Sequence, residues 1–210
     1  MKITKIGHCC LLIETKGKRI LTDPGSYTID EHSKLTDIDY VLFTHEHGDH
    51  YHLESLKEIL EKNSSAEIYA NTSVAELLEK ENIIHTLVKD RDNLKLGDIA
   101  LQGYGMEHAE FHSSLPLASN TGFFIDDRLF YPGDAFTDPK REVEILALPV
   151  AGPWMNVAQG LDYALLIKPR VAFPVHDGLR YGATHKFPSE VLPKNGIEFV
   201  VMVEGDSREF

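Results

Sequence analysis

The segment His45-Glu46-His47-Gly48-Asp49-His50 constrains this chain more than anything else in it. An apolar run over 40–43 precedes it, and Leu53, Leu56, Ile59 and Leu60 follow at helical spacing, so the stretch reads strand, loop, helix. Residues two apart on an extended segment share a side, which lets His45 and His47 grip one ion. Gly48 permits a tight turn, after which Asp49 and His50 face elsewhere. That arrangement suits two adjacent metals better than one. Imidazole and carboxylate are ligands of zinc, iron and manganese, and a merely solvated loop has no need of this spacing.

The rest of the chain supplies a frame. Alternating or continuous apolar runs predict strands over 2–6, 9–14, 19–22, 40–44, 66–70, 99–105, 122–126, 129–131, 145–150, 171–175 and 198–203. Helical periodicity predicts helices over 52–61, 72–81 and 157–167, the second capped by Thr72-Ser73 and the third by Asn156. Neither a repeat nor a Pro/Gly/Ser-rich linker divides the sequence, so one mixed α and β domain over 1–210 is expected.

Four further residues sit where a strand ends. Asp23 closes the run Ile20-Leu21-Thr22, and His108 follows the strand over 99–105. Asp134 comes after a Pro-Gly turn, and His176 ends Val171–Val175. Each alone is weak, because a single His after a strand is usually a surface or core residue. Strand ends can converge at one edge of a packed sheet, which makes the set coherent with the hexapeptide.

With these residues the chain resembles the metallo-β-lactamase superfamily, whose HxHxDH signature the hexapeptide matches. The Asp-ending strand before it, and a His, a Gly-Asp pair (Gly133-Asp134) and a final His after it, complete the pattern. Gly7-His8, Leu148–Gly152 and Pro174-Val175-His176 narrow the likeness to a small single-domain branch that includes ascorbate-phosphate lactonase-like proteins. The resemblance implies an α+β protein, a four-layer αβ/βα sandwich of two mixed β-sheets flanked by helices. It implies a dinuclear site in which His45, His47 and His108 bind one metal, and Asp49, His50 and His176 the other. Asp134 would bridge both, and Asp23 would orient a ligand from behind. The distance from Gly97-Asp98 favours His108 over His112, which stays a candidate pocket residue with Trp154 and Arg180. Two divalent ions per chain are implied, zinc first, with manganese or iron also compatible.

Composition enters when function is asked. With 21 Lys+Arg against 33 Asp+Glu the net charge is −12, which argues against a nucleic-acid partner. Yet two divalent ions less Asp49, Asp134 and a hydroxide leave the implied site about one charge positive, attractive to an anion. Metal-bound hydroxide is the expected nucleophile, with Asp49 orienting it and taking its proton. The expected activity is hydrolysis of a small, anionic ester, lactone or phosphoester. The alternatives are a phosphodiesterase or nuclease with the same ions, redox use of a related diiron type, and a non-catalytic metal-binding protein. No apolar run reaches the roughly 18–20 residues of a membrane span, and the start is too weakly apolar for a signal peptide. Cys9 and Cys10 are adjacent, poorly placed for a mutual disulfide, and read as small buried hydrophobes in a cytoplasmic protein. His8 reads as supporting the site; His32, His52, His85 and His185 read as ordinary surface histidines.

Overall fold

Antiparallel hairpin strands followed by parallel crossover strands build one sheet from the start of the chain, and the same succession builds a second from residue 93 onward. The computed structural model describes residues 1–178 and 183–210. Strands β1 (Lys2–Gly7), β2 (Cys10–Thr15) and β3 (Lys18–Thr22) form an antiparallel meander. After a short helix α1 (Ile29–His32), strands β4 (Tyr40–Phe43), β5 (Glu67–Ala70) and β6 (Thr86–Leu87) join in parallel. The crossovers between them are α2 (Leu53–Lys62) and α3 (Thr72–Lys80). The second sheet repeats the plan. Strands β7 (Asn93–Leu96), β8 (Ile99–Tyr104), β9 (Gly122–Ile125) and β10 (Leu129–Tyr131) are antiparallel, and β11 (Ile145–Pro149), β12 (Val171–Val175) and β13 (Glu198–Phe199) are parallel. Helices α4 (Val157–Ile167) and α5 (Ala183–Val191) make its crossovers, and β14 (Ser207–Glu209) returns to pair with β1. Among the described residues both sheets have seven strands, ordered β14-β1-β2-β3-β4-β5-β6 and β13-β12-β11-β10-β9-β8-β7.

Side-chain alternation sorts the core into layers. Leu11, Ile13 and Leu42 meet Phe123, Ile125 and Phe173 between the sheets. Val41 and Phe43, facing the other way, pack under Leu56, Ile59, Val74 and Leu78 of α2 and α3. On the far side Phe124, Phe130 and Leu146 pack under Tyr163 and Ala164 of α4. Two mixed sheets thus lie face to face with helices outside each, four layers in all. A strand covered on both faces must read as a continuous apolar run, and β4 does.

Differences from the sequence expectation have local causes. Asn71, not Thr72-Ser73, caps α3, its carboxamide oxygen accepting the Val74 N–H at 3.1 Å. Of the strand expected over 198–203, only Glu198–Phe199 pair with β12; Val201 and Val203 are 43% and 44% exposed. His32 and His185 are buried rather than surface residues, and His52 caps α2 by accepting the Ser55 N–H. Among the described residues no helix is long and apolar enough to cross a membrane.

Candidate metal centre

The carboxyl ends of β3, β4, β10 and β12 all point to one edge of the sandwich, and their following residues gather there. Asp23 comes one residue after β3, His45 two after β4, Asp134 three after β10 and His176 directly after β12. His108 arrives from the β8–β9 connection, where its N–H bonds the Ala118 carbonyl at 2.9 Å. Two glycines make the gathering possible. Gly133 has φ +66, and a Cβ there would lie 2.4 Å from Asn120 Oδ1, the atom that accepts the Asp134 N–H. A Cβ on Gly25 would lie 1.9 Å from the Asp49 carbonyl, so the Asp23-Pro24-Gly25 turn fits against the hexapeptide only without a side chain.

One cluster comprises His45, His47, His108 and Asp134, whose candidate donor atoms all lie within 4.8 Å of one another. Hydrogen bonds behind the rings fix which nitrogen faces inward. The Thr44 hydroxyl donates to Asp23 Oδ2 at 2.7 Å, so its oxygen accepts from His45 Nδ1–H at 3.0 Å, leaving Nε2 of His45 with a lone pair. His108 Nδ1–H donates to the Ala109 carbonyl at 2.6 Å, which frees its Nε2 in the same way. His47 Nδ1 stands 3.0 Å from His45 Nε2. Asp134 Oδ2 lies 3.4 Å from His108 Nε2 and 3.8 Å from His45 Nε2.

On the other side of Asp134 lie His50, His176 and Asp49. His176 Nε2 is 2.9 Å from Asp134 Oδ2 and 3.6 Å from Asp49 Oδ2; His50 Nε2 is 3.2 Å from Asp134 Oδ1 and 4.0 Å from Asp49 Oδ2. Asp23 stands behind His50, accepting its Nδ1–H at 2.8 Å together with the Thr44 N–H at 2.8 Å and the Tyr131 hydroxyl at 2.6 Å. His8 and Cys9 also have donor atoms within 4.8 Å of His50 and His176. Neither is well disposed to ligate. His8 Nδ1 accepts the Gly178 N–H at 3.1 Å, so its Nε2–H donates to Asp49 Oδ2 at 3.1 Å, and both ring nitrogens are committed. Burial pushes the Cys9 thiol up to about 12, which keeps it protonated.

The electrostatics suit cation binding. Burial, reinforced by the charge of His50, holds His45 well below the ordinary imidazole value, and burial lowers His47 as well, so both are neutral ligands at pH 7. For Asp134 burial opposes ionisation, but His50 and His176 hold it well below the carboxylate range. His50, against the cost of its own burial, is raised by Asp134. Three polar atoms here, His50 Nε2, His108 Nε2 and Asp134 Oδ1, are buried without a hydrogen-bond partner. Orphaned buried polar atoms are costly, roughly 1–3 kcal/mol each, and a metal ion that displaces the His50 proton would satisfy all three.

A cavity of about 620 Å3 opens onto the cluster, walled by Tyr27, Phe111, Pro153 and Trp154 and floored by His47, Asp49 and His176. Trp154 is buried, and its indole N–H donates to Asp134 Oδ2 at 3.0 Å, so it touches the central carboxylate as well as the cavity. His112 is exposed and bonds Ser114; Phe111, its neighbour, stacks on His108 instead. Arg180 lies outside the described residues. Sequence reading missed Tyr27 and Phe111, which carry no chemical signature, and a buried triad behind His176. There Lys5 Nζ and His185 Nε2 each bond Asp177 Oδ2 at 2.6 Å. Lys5 gives its remaining donors to the carbonyls of Pro174 and Met202.

The family model of the beta-lactamase superfamily domain matches residues 2–176, and the chain belongs to that superfamily. Protein Rv0786c of Mycobacterium tuberculosis is 34% identical over 185 residues, covering 85% of each chain. A protein of Nanoarchaeum equitans named a UPF0173 metal-dependent hydrolase is 28% identical over 189 residues, covering 84% of this chain and 83% of its own. Among solved structures, Igni18, a metallo hydrolase from Ignicoccus hospitalis, superposes with a TM-score of 0.78 at 21% identity, covering 100% of this chain and 98% of its own. The two mixed sheets and flanking helices are the metallo-β-lactamase fold.

Proposed function

We propose that this protein is a metal-dependent hydrolase with a dinuclear site, acting on an ester, lactone or phosphoester of a small molecule. The observation that carries the reading is the convergence of buried, unpartnered side-chain atoms on two sides of Asp134, with the far ring nitrogens of His45, His50 and His108 already hydrogen-bonded. His45 Nε2, His47 Nδ1 and His108 Nε2 would hold one ion, His50 Nε2, His176 Nε2 and Asp49 the second, and Asp134 both. Nitrogen-rich ligation with carboxylates fits zinc first and admits manganese or iron. Bound divalent ions supply Lewis acidity and make water a competent nucleophile near neutral pH.

The chain's own groups do the rest. Burial opposes ionisation of Asp49, but the hydrogen bond from His8 and the nearby His50 hold its carboxyl below the ordinary range. It therefore presents a carboxylate, fixed through Oδ2 by His8, that orients the attacking water and takes its proton. Asp23 and Thr44 hold His50 and His45 in the tautomers that face inward. Trp154, Tyr27 and Phe111 give the cavity apolar walls, which strengthens electrostatic contacts beside them. Among the described residues no Lys or Arg lines this cavity, so attraction of an anionic substrate would fall to the ions.

The test is a screen of esters, lactones and phosphodiesters against protein stripped of metal and then reloaded. Turnover that disappears on stripping and returns on reloading is the expected result. A protein that takes up metal fully and turns over none of these bonds would be a metal-binding protein and not a hydrolase.

A further inference from the structure

The β8–β9 connection combines a fastened base with an exposed apolar middle. Its base is fastened by the Glu107–Ser119 bridge, by the His108 N–H on the Ala118 carbonyl and by the Ala109 N–H on the Asp134 carbonyl at 2.8 Å. At its tip His112 and Ser114 satisfy each other. Between base and tip it leaves Phe111, Leu115 and Leu117 at 42%, 56% and 48% exposure. A loop free to choose polar side chains gains nothing by holding three large apolar ones in water, and apolar patches beside a cleft mark binding sites.

These side chains enclose a second cleft of about 300 Å3, lined by His47, Phe111, Leu115, Pro116 and Leu117. Phe111 and His47 also line the 620 Å3 cavity, so the two spaces adjoin along one wall. Phe111 is no loose flap there: its ring stacks on His108 at 5.0 Å and 19° and meets His47 edge-on at 5.8 Å. Tyr27, 46% exposed, faces the cavity from another wall. Among the described residues neither space is lined by Lys or Arg.

We propose that the substrate carries an uncharged apolar arm, an acyl chain or an aryl group, that runs from the His/Asp cluster over Phe111 into the Leu115–Leu117 cleft. The reading that the cluster is hydrolytic supplies the bond at the arm's end; the arm itself rests on the cleft. Any charge on the substrate belongs at the end that meets the cluster.

Binding and turnover separate the two claims. Metal-loaded protein is titrated with acetate and with octanoate, product-like acids that share a head group, using the emission of Trp154, the chain's single tryptophan and a wall of the cavity. Octanoate should bind at least tenfold tighter, about 1.4 kcal/mol, which burial of two methylenes suffices to give. Leu115→Asp with Leu117→Asp should bring the octanoate-to-acetate ratio close to one, while Ile84→Asp, 92% exposed elsewhere, should leave the ratio as it was. Equal affinities for the two acids, or a preference that survives the double substitution, would overturn the proposal. Matched ethyl esters of the same acids then test the chemistry. A chain-length preference in binding without turnover removes the hydrolase and keeps the arm; turnover indifferent to chain length does the reverse.

Discussion

Replacing Asp23 by Asn changes one atom and should cost both stability and metal. Oδ1 accepts the Thr44 N–H, whereas Oδ2 accepts from the Thr44 hydroxyl, the Tyr131 hydroxyl and His50 Nδ1–H at 2.7, 2.6 and 2.8 Å. An Asn that keeps its oxygen on the Thr44 N–H turns an NH2 toward three donors. Two of them can adapt. The Thr44 hydroxyl can turn and accept, and Tyr131 can give its proton to the Cys9 carbonyl, already 3.0 Å away. His50 cannot: it must leave a buried N–H unpaired or give up that proton and keep the one on Nε2, the nitrogen that faces Asp134. The first choice costs about 2–3 kcal/mol for a hydrogen bond to a charged group. The second removes a lone pair from the metal side, and loss of such a supporting contact typically weakens metal binding by about 10–100-fold. Urea unfolding of the metal-free variant reads the first cost, and calorimetric titration of folded variant with zinc reads the second. Unchanged stability together with unchanged zinc affinity would refute this account of His50.

Other expectations are as concrete. Asp134→Ala should lose most bound metal and all hydrolysis, because it removes the carboxylate that both histidine groups face; elemental analysis showing full metal content would end that assignment. His108→Ala should cost far more metal than His112→Ala, since His112 is exposed and bonds only its own loop, and the reverse order in a zinc titration would shift the third ligand along the chain. Lys5→Met leaves Asp177 buried against His185 without its cation and should destabilise the fold by about 3–5 kcal/mol in urea. Glu144 is pushed down to about 2, first by the hydrogen bond from Arg128 and then by Arg170. A folded-state value below the ordinary 4.5 gives stability that is complete above pH 4.5 and is lost as pH falls toward 2. Glu144→Gln should therefore flatten the urea midpoint over that window; an unchanged acid limb would count against the pairing.

The hexapeptide and the strand-end Asp and His residues were legible because strand termini, turn glycines and ligand spacing are local properties. So were the central strands and α2, α3 and α4, whose apolar spacing is strong. What stayed hidden depends on partners far along the chain. Strand β14 is exposed at every residue and exists only because Lys2–Thr4 offer it an edge. Helix α5 contains Pro188, which reads as a break when the surrounding packing cannot be seen. His185 and Lys5 look like surface residues until Asp177 is placed between them. The sequence marks His8 only as a neighbour of the site, whereas its geometry places a fixed N–H on Asp49. Trp154 could be placed near the cavity from its sequence neighbours, but its bond to Asp134 could not.

The most direct test of the central claim is the metal content of the purified protein, by elemental analysis before and after reconstitution, with the hydrolysis screen run on the same samples. About two divalent ions per chain, falling together with activity when Asp134 is removed, is the predicted result. A protein that holds no more than traces of metal after reconstitution would contradict the account, because the buried, unpartnered atoms of His50, His108 and Asp134 would then have no ion to explain them.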